Sequence, residues 1–203
     1  MAKGRLFIVS GPSGSGKDTV LAEALKSRPD IKVSVSCVTR GMRANETDGV
    51  DYHFISREHF LNMIKEGQLL EHNEYVGNFY GTPKAPVDAA IADGRDFILK
   101  IDVNGADNVK KIIPDAVRIF IMPPSIEILK TRLSKRGSET AETLKGRLGA
   151  AIAEMKRAKD YDYIIVNDDL SKAAADLLCA INSDRLKTDR NIEFLNGVVE
   201  NDK

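Results

Sequence analysis

Arg5-Leu6-Phe7-Ile8-Val9-Ser10-Gly11-Pro12-Ser13-Gly14-Ser15-Gly16-Lys17 is an apolar run that breaks into a glycine-rich turn and ends on a lysine. Leu6 to Ser10 predicts a buried strand, and Thr19-Val20-Leu21-Ala22-Glu23-Ala24-Leu25 carries apolar residues at helical spacing. Strand, G-x4-G-K turn and helix, in that order, let successive backbone N–H groups face one anion. The helix then points its positive end at a nucleoside triphosphate, and Lys17 reaches the β- and γ-phosphates. One position departs from this pattern. The residue after the lysine, usually a Ser or Thr whose hydroxyl meets Mg²⁺, is Asp18, with Thr19 one place further on.

The 203 residues suffice for one well-buried domain, and 42% hydrophobic with 30% charged is an ordinary globular composition. Thirty basic and thirty acidic residues cancel, so the broad positive field that draws nucleic acid or an anionic membrane is missing. Anion binding must be local. No apolar run approaches the ~18 residues that span a bilayer, and Met1-Ala2-Lys3-Gly4 leads into a strand rather than a cleavable signal, so a cytoplasmic location is expected. Cys37 and Cys179 lie far apart without metal-ligand spacing, which favours reduced thiols.

Apolar runs recur at Leu6 to Ser10, Val33 to Val38, Phe97 to Ile101, Val117 to Met122 and Tyr163 to Val166, separated by helical periodicity. The expected fold class is α/β, a parallel sheet flanked by helices, with the Gly11 loop at the carboxyl end of its strand. Thr82-Pro83 and Pro123-Pro124-Ser125 look like helix starts, and Gly94 like a helix end. Tyr52, Phe54, Tyr75, Phe79 and Tyr80 gather among short extended pieces, an inserted small lobe over about residues 34 to 82 of a single domain. Residues 188 to 203 have weak periodicity and read as a loosely held tail.

Between the loop and that lobe runs Ser36-Cys37-Val38-Thr39-Arg40-Gly41-Met42-Arg43-Ala44-Asn45-Glu46-Thr47-Asp48-Gly49-Val50-Asp51-Tyr52-His53-Phe54. Here the chain resembles the guanylate kinase family, whose pattern S-x-x-T-R-x-x-R-x-x-E-x-x-G-x-x-Y-x-F is filled at every specified position. The resemblance continues through Glu71, Gly77-Asn78-Phe79-Tyr80-Gly81-Thr82, Ile101-Asp102-Val103-Asn104-Gly105, Pro123-Pro124-Ser125, Arg136-Gly137 and Val166-Asn167-Asp168-Asp169. It implies a P-loop kinase with an inserted GMP-binding lobe and a helical lid over about residues 125 to 160. The implied reaction phosphorylates GMP or dGMP with ATP and Mg²⁺.

Residue by residue, the resemblance places ATP against Gly11, Pro12, Ser13, Gly14, Ser15, Gly16, Lys17, Asp18 and Thr19, with Asn167 near the adenine. Arg40 and Arg43, two guanidinium forks suited to one phosphate, with the hydroxyls of Tyr52 and Tyr80, are expected at the GMP phosphate. Guanine offers donors at N1 and N2 and an acceptor at O6. Glu71 and Asp102 are implied to accept from it, while Ser36 and Thr82 serve O6 and neighbouring atoms. Lys17 with Arg132, Arg136 and Arg147, the last three flanking the polar Gly137-Ser138-Glu139-Thr140, are the expected catalytic cations. Phosphoryl transfer leaves the protein little covalent work, so charge stabilisation, in-line positioning and exclusion of water carry the rate. His53, His59 and His72 receive no role.

Besides Asp18, Lys100 departs from the family, at a commonly acidic position, and Met42 and Asn45 alter a loop. Asp18 and Lys100 could meet as an ion pair near the metal. Equally, Asp18 could cap its helix while Lys100 reaches solvent. These departures keep two other functions open: a guanylate-kinase-like module that binds nucleotide with impaired catalysis, and a related P-loop kinase acting on another small molecule.

Overall fold

A computed structural model of the chain describes residues 4–75, 77–134 and 141–200. Arg136 and the connection at residues 137–140 lie outside them. In chain order the strands are β1 (Leu6–Ser10), β2 (Lys32–Val33), β3 (Ser36–Val38), β4 (Tyr52–Phe54), β5 (Leu69–Tyr75), β6 (Asn78–Pro83), β7 (Phe97–Lys100), β8 (Val117–Met122) and β9 (Tyr163–Val166). The helices are α1 (Lys17–Leu25), α2 (Arg57–Lys65), α3 (Lys84–Ala92), α4 (Val103–Ile112), α5 (Ile126–Ser134), α6 (Ala141–Lys156), α7 (Leu170–Arg185) and α8 (Thr188–Glu200). The described residues fall into two compact units, one of Gly4–Ser10 and Asp30–Arg118, the other of Gly11–Pro29 and the chain from Ile119 on.

In the first unit β1 and β2 each run parallel to β7, with Leu6 opposite Phe97 and Val9 opposite Lys100. Leu6, Phe7, Ile8 and Val9 are all buried, the two-faced apolar strand of a covered parallel sheet. Each such side chain contributes about 2 kcal/mol of burial. α4 packs on β1 and α3 on β7. A second sheet, in the order β4-β3-β6-β5, spans Ser36 to Pro83 and carries the aromatic-rich segment. Within it Phe60 of α2 stacks on Phe79, ring centres 5.4 Å apart.

The run Val33 to Val38, expected as one strand, is two strands in two sheets. Ser34 is the reason: its N–H donates to the Ile98 carbonyl at 2.8 Å, and its hydroxyl accepts from the Lys100 N–H at 3.1 Å. The first still belongs to the ladder with β7; the second ends it, because the Lys100 N–H goes to the hydroxyl where the ladder would use the Ser34 carbonyl. Two residues later β3 pairs with β4 in parallel and with β6 antiparallel.

In the other unit β8 and β9 run parallel, from Ile119 opposite Tyr163 to Met122 opposite Val166. α7 packs on α1 and β9. α5 and α6 meet through Leu129, Leu133 and Ala151, flanked by Leu144, Leu148 and Met155. Ser125 starts α5, its hydroxyl accepting from the Ile128 N–H at 3.2 Å. The segment read as a loosely held tail is helical over Thr188–Glu200, and no residue of α8 is buried. Arg190 ties its start to the buried Asp184 of α7 at 3.0 Å. Among the described residues no helix is long and apolar enough to cross a membrane. Both cysteines are free thiols, Cys37 buried and Cys179 exposed.

Candidate functional site

β1 ends on the fully buried Ser10, and the chain turns at once into the glycine loop. Ser15 N–H closes that turn on the Pro12 carbonyl at 3.0 Å. Gly14 and Gly16 adopt φ of 86° and 84°, a left-handed backbone that side-chain-bearing residues rarely take. A methyl on Gly16 would also run into the amide nitrogen of Asn167. Gly16, which has no side chain to offer, is the N-cap of α1. Asp18 supplies negative charge in the first turn of α1, and it is exposed, as is Thr19. Lys17, the first residue of α1, is half-buried.

Side chains from α5, α6 and the end of β9 hold this loop. Asn167 Nδ2 donates to the buried Ser15 carbonyl at 2.8 Å, and Arg132 donates to the same oxygen at 3.3 Å and to the Asn167 carbonyl at 2.9 Å. Arg147 reaches the exposed Ser13 hydroxyl at 2.9 Å. Two of the expected lid arginines thus touch the glycine loop directly, and Asn167 supports it from beneath.

The other unit gathers the residues expected at an acceptor phosphate. Glu46 grips Arg40 bidentately, both contacts 2.6 Å, and its second oxygen also accepts from the Arg43 N–H at 2.9 Å. Arg40 holds the Glu46 carboxyl down at about 2, and Glu46 raises Arg40 further above its already high value. The guanidinium carbon of Arg40 lies 5.2 Å from the Tyr52 ring centre, and Tyr80 meets that ring edge-on at 6.2 Å. The Arg43 side chain is 70% exposed, with its Nη1 3.9 Å from Glu46 Oε1. Lys100 does not simply reach solvent: it is half-buried, its ammonium 5.9 Å from the same Tyr52 ring centre.

Glu71 and Thr82 stand opposite one another on β5 and β6, both buried, and the Thr82 hydroxyl donates to Glu71 Oε1 at 2.8 Å. Thr82 therefore does not cap the following helix. Pro83 occupies the N-cap of α3 without a side-chain bond. Burial pushes the Glu71 carboxyl up to about 7, the Thr82 hydroxyl works against that rise, and the Asp102 charge adds to it. Asp102 is the N-cap of α4, accepting from the N–H groups of Asn104 and Gly105, each at 2.8 Å. Asn73 Nδ2 bridges its two oxygens at 3.0 and 2.9 Å. Ser36, on β3 opposite Tyr52 of β4, is buried.

Three residues of this architecture carry no role in the sequence reading. Glu46 could have been inferred, because a carboxylate three residues from one arginine and six from another is a natural partner. Gly105 is required because an added Cβ would lie 2.9 Å from Glu71 Oε2. Asn73 gave no signal, since its partner is 29 residues away.

Among the described residues no group of three or more His, Cys, Asp or Glu side chains could hold a metal ion. The resemblance implies Mg²⁺, an ion that usually reaches such sites largely on a nucleotide's own phosphates. Asp18, exposed in the first turn of α1, is the carboxylate that the loop offers it.

Residues 3–184 match the family described as guanylate kinase. The guanylate kinase of Clostridioides difficile (strain 630) is 44% identical over 198 residues, covering 98% of this chain and 95% of that protein. That of Carboxydothermus hydrogenoformans is 47% identical over 190 residues, covering 94% and 93%. The crystal structure of guanylate kinase from Anaplasma phagocytophilum superposes with a TM-score of 0.81 at 33% identity, over 96% of this chain and 94% of that one. A glycine loop buttressed by arginines, a carboxylate-and-hydroxyl pocket and full-length similarity at this level agree: the chain belongs to the guanylate kinase family.

Proposed function

We propose that the protein performs its family's reaction, moving the γ-phosphoryl group of ATP onto the phosphate of GMP or dGMP to give ADP and GDP, with the residues above in specific roles. The observation that carries the roles is the buried Glu71–Thr82 pair beside the capped Asp102. Two carboxylates and the buried Ser36 hydroxyl match guanine's two donors and one acceptor, while the Thr82 hydroxyl, whose proton goes to Glu71, fixes that carboxylate. Adenine would bring a donor where guanine brings an acceptor and leave a buried carboxylate short of partners. Sites built on such bonds discriminate by about 10⁴- to 10⁵-fold.

Arg40, aimed by Glu46, and the exposed fork of Arg43 receive the acceptor phosphate, with Tyr52 and Tyr80 completing the cradle. The loop from Gly11 to Gly16 and the start of α1 hold the ATP phosphates, and Lys17 follows the negative charge that develops between the β- and γ-phosphates. Arg147 supplies positive charge at the same loop, and Arg132 fixes the loop's shape through the Ser15 carbonyl. An oxygen of the acceptor phosphate, already ionised, attacks the γ-phosphorus. A new P–O bond forms as the bond to the β-phosphate oxygen breaks, so no general base is needed. Mg²⁺ arriving with ATP would neutralise phosphate charge near Asp18. We assign the reaction to the cytoplasm, where its nucleotides are found.

Phosphorus NMR of the protein with ATP and Mg²⁺ tests this reading, with GMP, AMP, CMP and ribose 1,5-bisphosphate supplied separately. GDP and ADP should form with GMP alone. Saturable GMP binding without product would replace the enzyme with a nucleotide-binding module, and turnover of the bisphosphate would move the substrate class.

A further inference from the structure

Asn73 and Glu71 are two residues apart on β5, hence on one face of the strand, and Asp102 stands at the start of α4, which packs against that strand. Asp102 Oδ1 is fixed by the helix itself, through the Asn104 and Gly105 N–H groups at 2.8 Å. A cap bond holds one oxygen and leaves the carboxylate able to turn about it. The Asn73 amide removes that freedom by donating to both oxygens, 3.0 Å to Oδ1 and 2.9 Å to Oδ2. Its orientation is chemically determined, because the reverse rotamer would set a carbonyl against a carboxylate. The same side chain keeps a cost: Asn73 Oδ1 is buried without a hydrogen-bond partner among the described residues. An apolar side chain at this place would bury no such oxygen, so stability alone does not account for asparagine here.

We infer that Asn73 is a positioning residue for base recognition: by bridging Asp102 it aims Oδ2, which retains acceptor capacity, at the 2-amino group of guanine. It thereby sets the preference for guanine over the same base without that group. The inference rests on the proposed function, which places Asp102 at the guanine edge. It predicts a division of labour in which Glu71 reads what guanine and hypoxanthine share and the Asn73–Asp102 pair reads what separates them.

The test is calorimetric binding of GMP and IMP to the full chain and to its Asn73→Ala and Asn73→Asp variants, with melting temperatures recorded alongside. In Asn73→Ala, GMP should bind about tenfold more weakly, the loss of one well-aimed bond to a charged group, while IMP changes less than twofold. Asn73→Asp, of the same shape but without the donor, should narrow the GMP/IMP ratio at least as much, so the result does not depend on the space left by alanine. Equal weakening of both ligands, or an unchanged ratio with a lowered melting temperature, would reduce Asn73 to a structural residue and overturn the inference. If the unsubstituted protein does not prefer GMP over IMP, the functional reading itself is overturned and the inference goes with it. That outcome is visible before any variant is made.

Discussion

The glycine loop and the cluster proposed to hold base and acceptor phosphate differ in construction: one is built from backbone and the other from side chains that hold one another. In the loop, left-handed glycines leave room where a methyl at Gly16 would strike Asn167, and the N-cap of α1 is itself a glycine. Its recognition elements are main-chain N–H groups and a lysine, which suit any polyphosphate. The pocket instead runs on pairs: Glu46 with Arg40, Thr82 with Glu71, and Asn73 with Asp102. Each pair fixes an aim as well as a charge. On the proposed function, generic anion binding comes from a contiguous turn, whereas selectivity comes from side chains brought together from separate strands and a helix start.

That contrast predicts which substitutions damage which step. The largest loss should follow Lys17→Met, which removes the loop's only side-chain charge toward the transferring group within the G-x4-G-K motif. A fall in kcat of about 10²- to 10³-fold with the KM for GMP little changed would keep the loop and pocket separate. A matching rise in the GMP KM would erase the distinction. Next comes Arg40→Met, which removes a guanidinium proposed at the acceptor phosphate and leaves Glu46 without its bidentate partner. The KM for GMP should rise on the order of 10²-fold, and removing Glu46 as well should recover part of the loss, as a double-mutant cycle would register.

Glu71→Gln sharpens the comparison through pH. An ordinary glutamate titrates near 4.5, whereas burial raises Glu71 to about 7. Between those values the folded protein holds a proton that the unfolded chain has released. The stabilisation is complete below 4.5 and lost as pH rises through 7. The glutamine variant should therefore gain relative stability across that window, on the order of 2–3 kcal/mol, seen as a higher melting temperature at pH 8. Guanosine, which lacks the phosphate and its own titration near pH ~6, should bind the unsubstituted protein better as pH rises from 6 to 8 and the variant without that trend. A parallel pH profile in the variant would detach Glu71 from the base. The smallest effect belongs to α8. Ending the chain after Lys187 removes Arg190 from Asp184 but leaves Lys187 on it at 2.8 Å, so about 1 kcal/mol and 2–4 °C should be lost, with steady-state kinetics unchanged.

The parts that were legible in the sequence are those whose partners are close along the chain. Leu6 to Lys17 announced a strand and turn because burial on both faces and the glycine spacing are local properties. Ser125 announced its helix for the same reason. Val33 to Val38 misled because alternating small and apolar residues suit either sheet, and the break depends on the Ser34 hydroxyl meeting Lys100. Thr82 looked like a cap because threonine before proline usually is one. Its hydroxyl instead went to a carboxylate across the strand pair. For α8, Ile192, Leu195 and Val199 do recur at helical spacing, so its helix was legible in the sequence; that all three stay exposed was not.

By itself, then, the sequence determined the α/β class, the glycine loop and the family, because residue types at fixed spacing carry that chemistry, and it named the candidate side chains. Only the tertiary structure decided how those side chains are aimed. Glu46 clamps Arg40, Arg132 and Asn167 brace the loop, burial lifts Glu71, and Asn73 locks Asp102. A side chain's charge belongs to its residue, but its orientation and proton affinity belong to the neighbours that folding places around it.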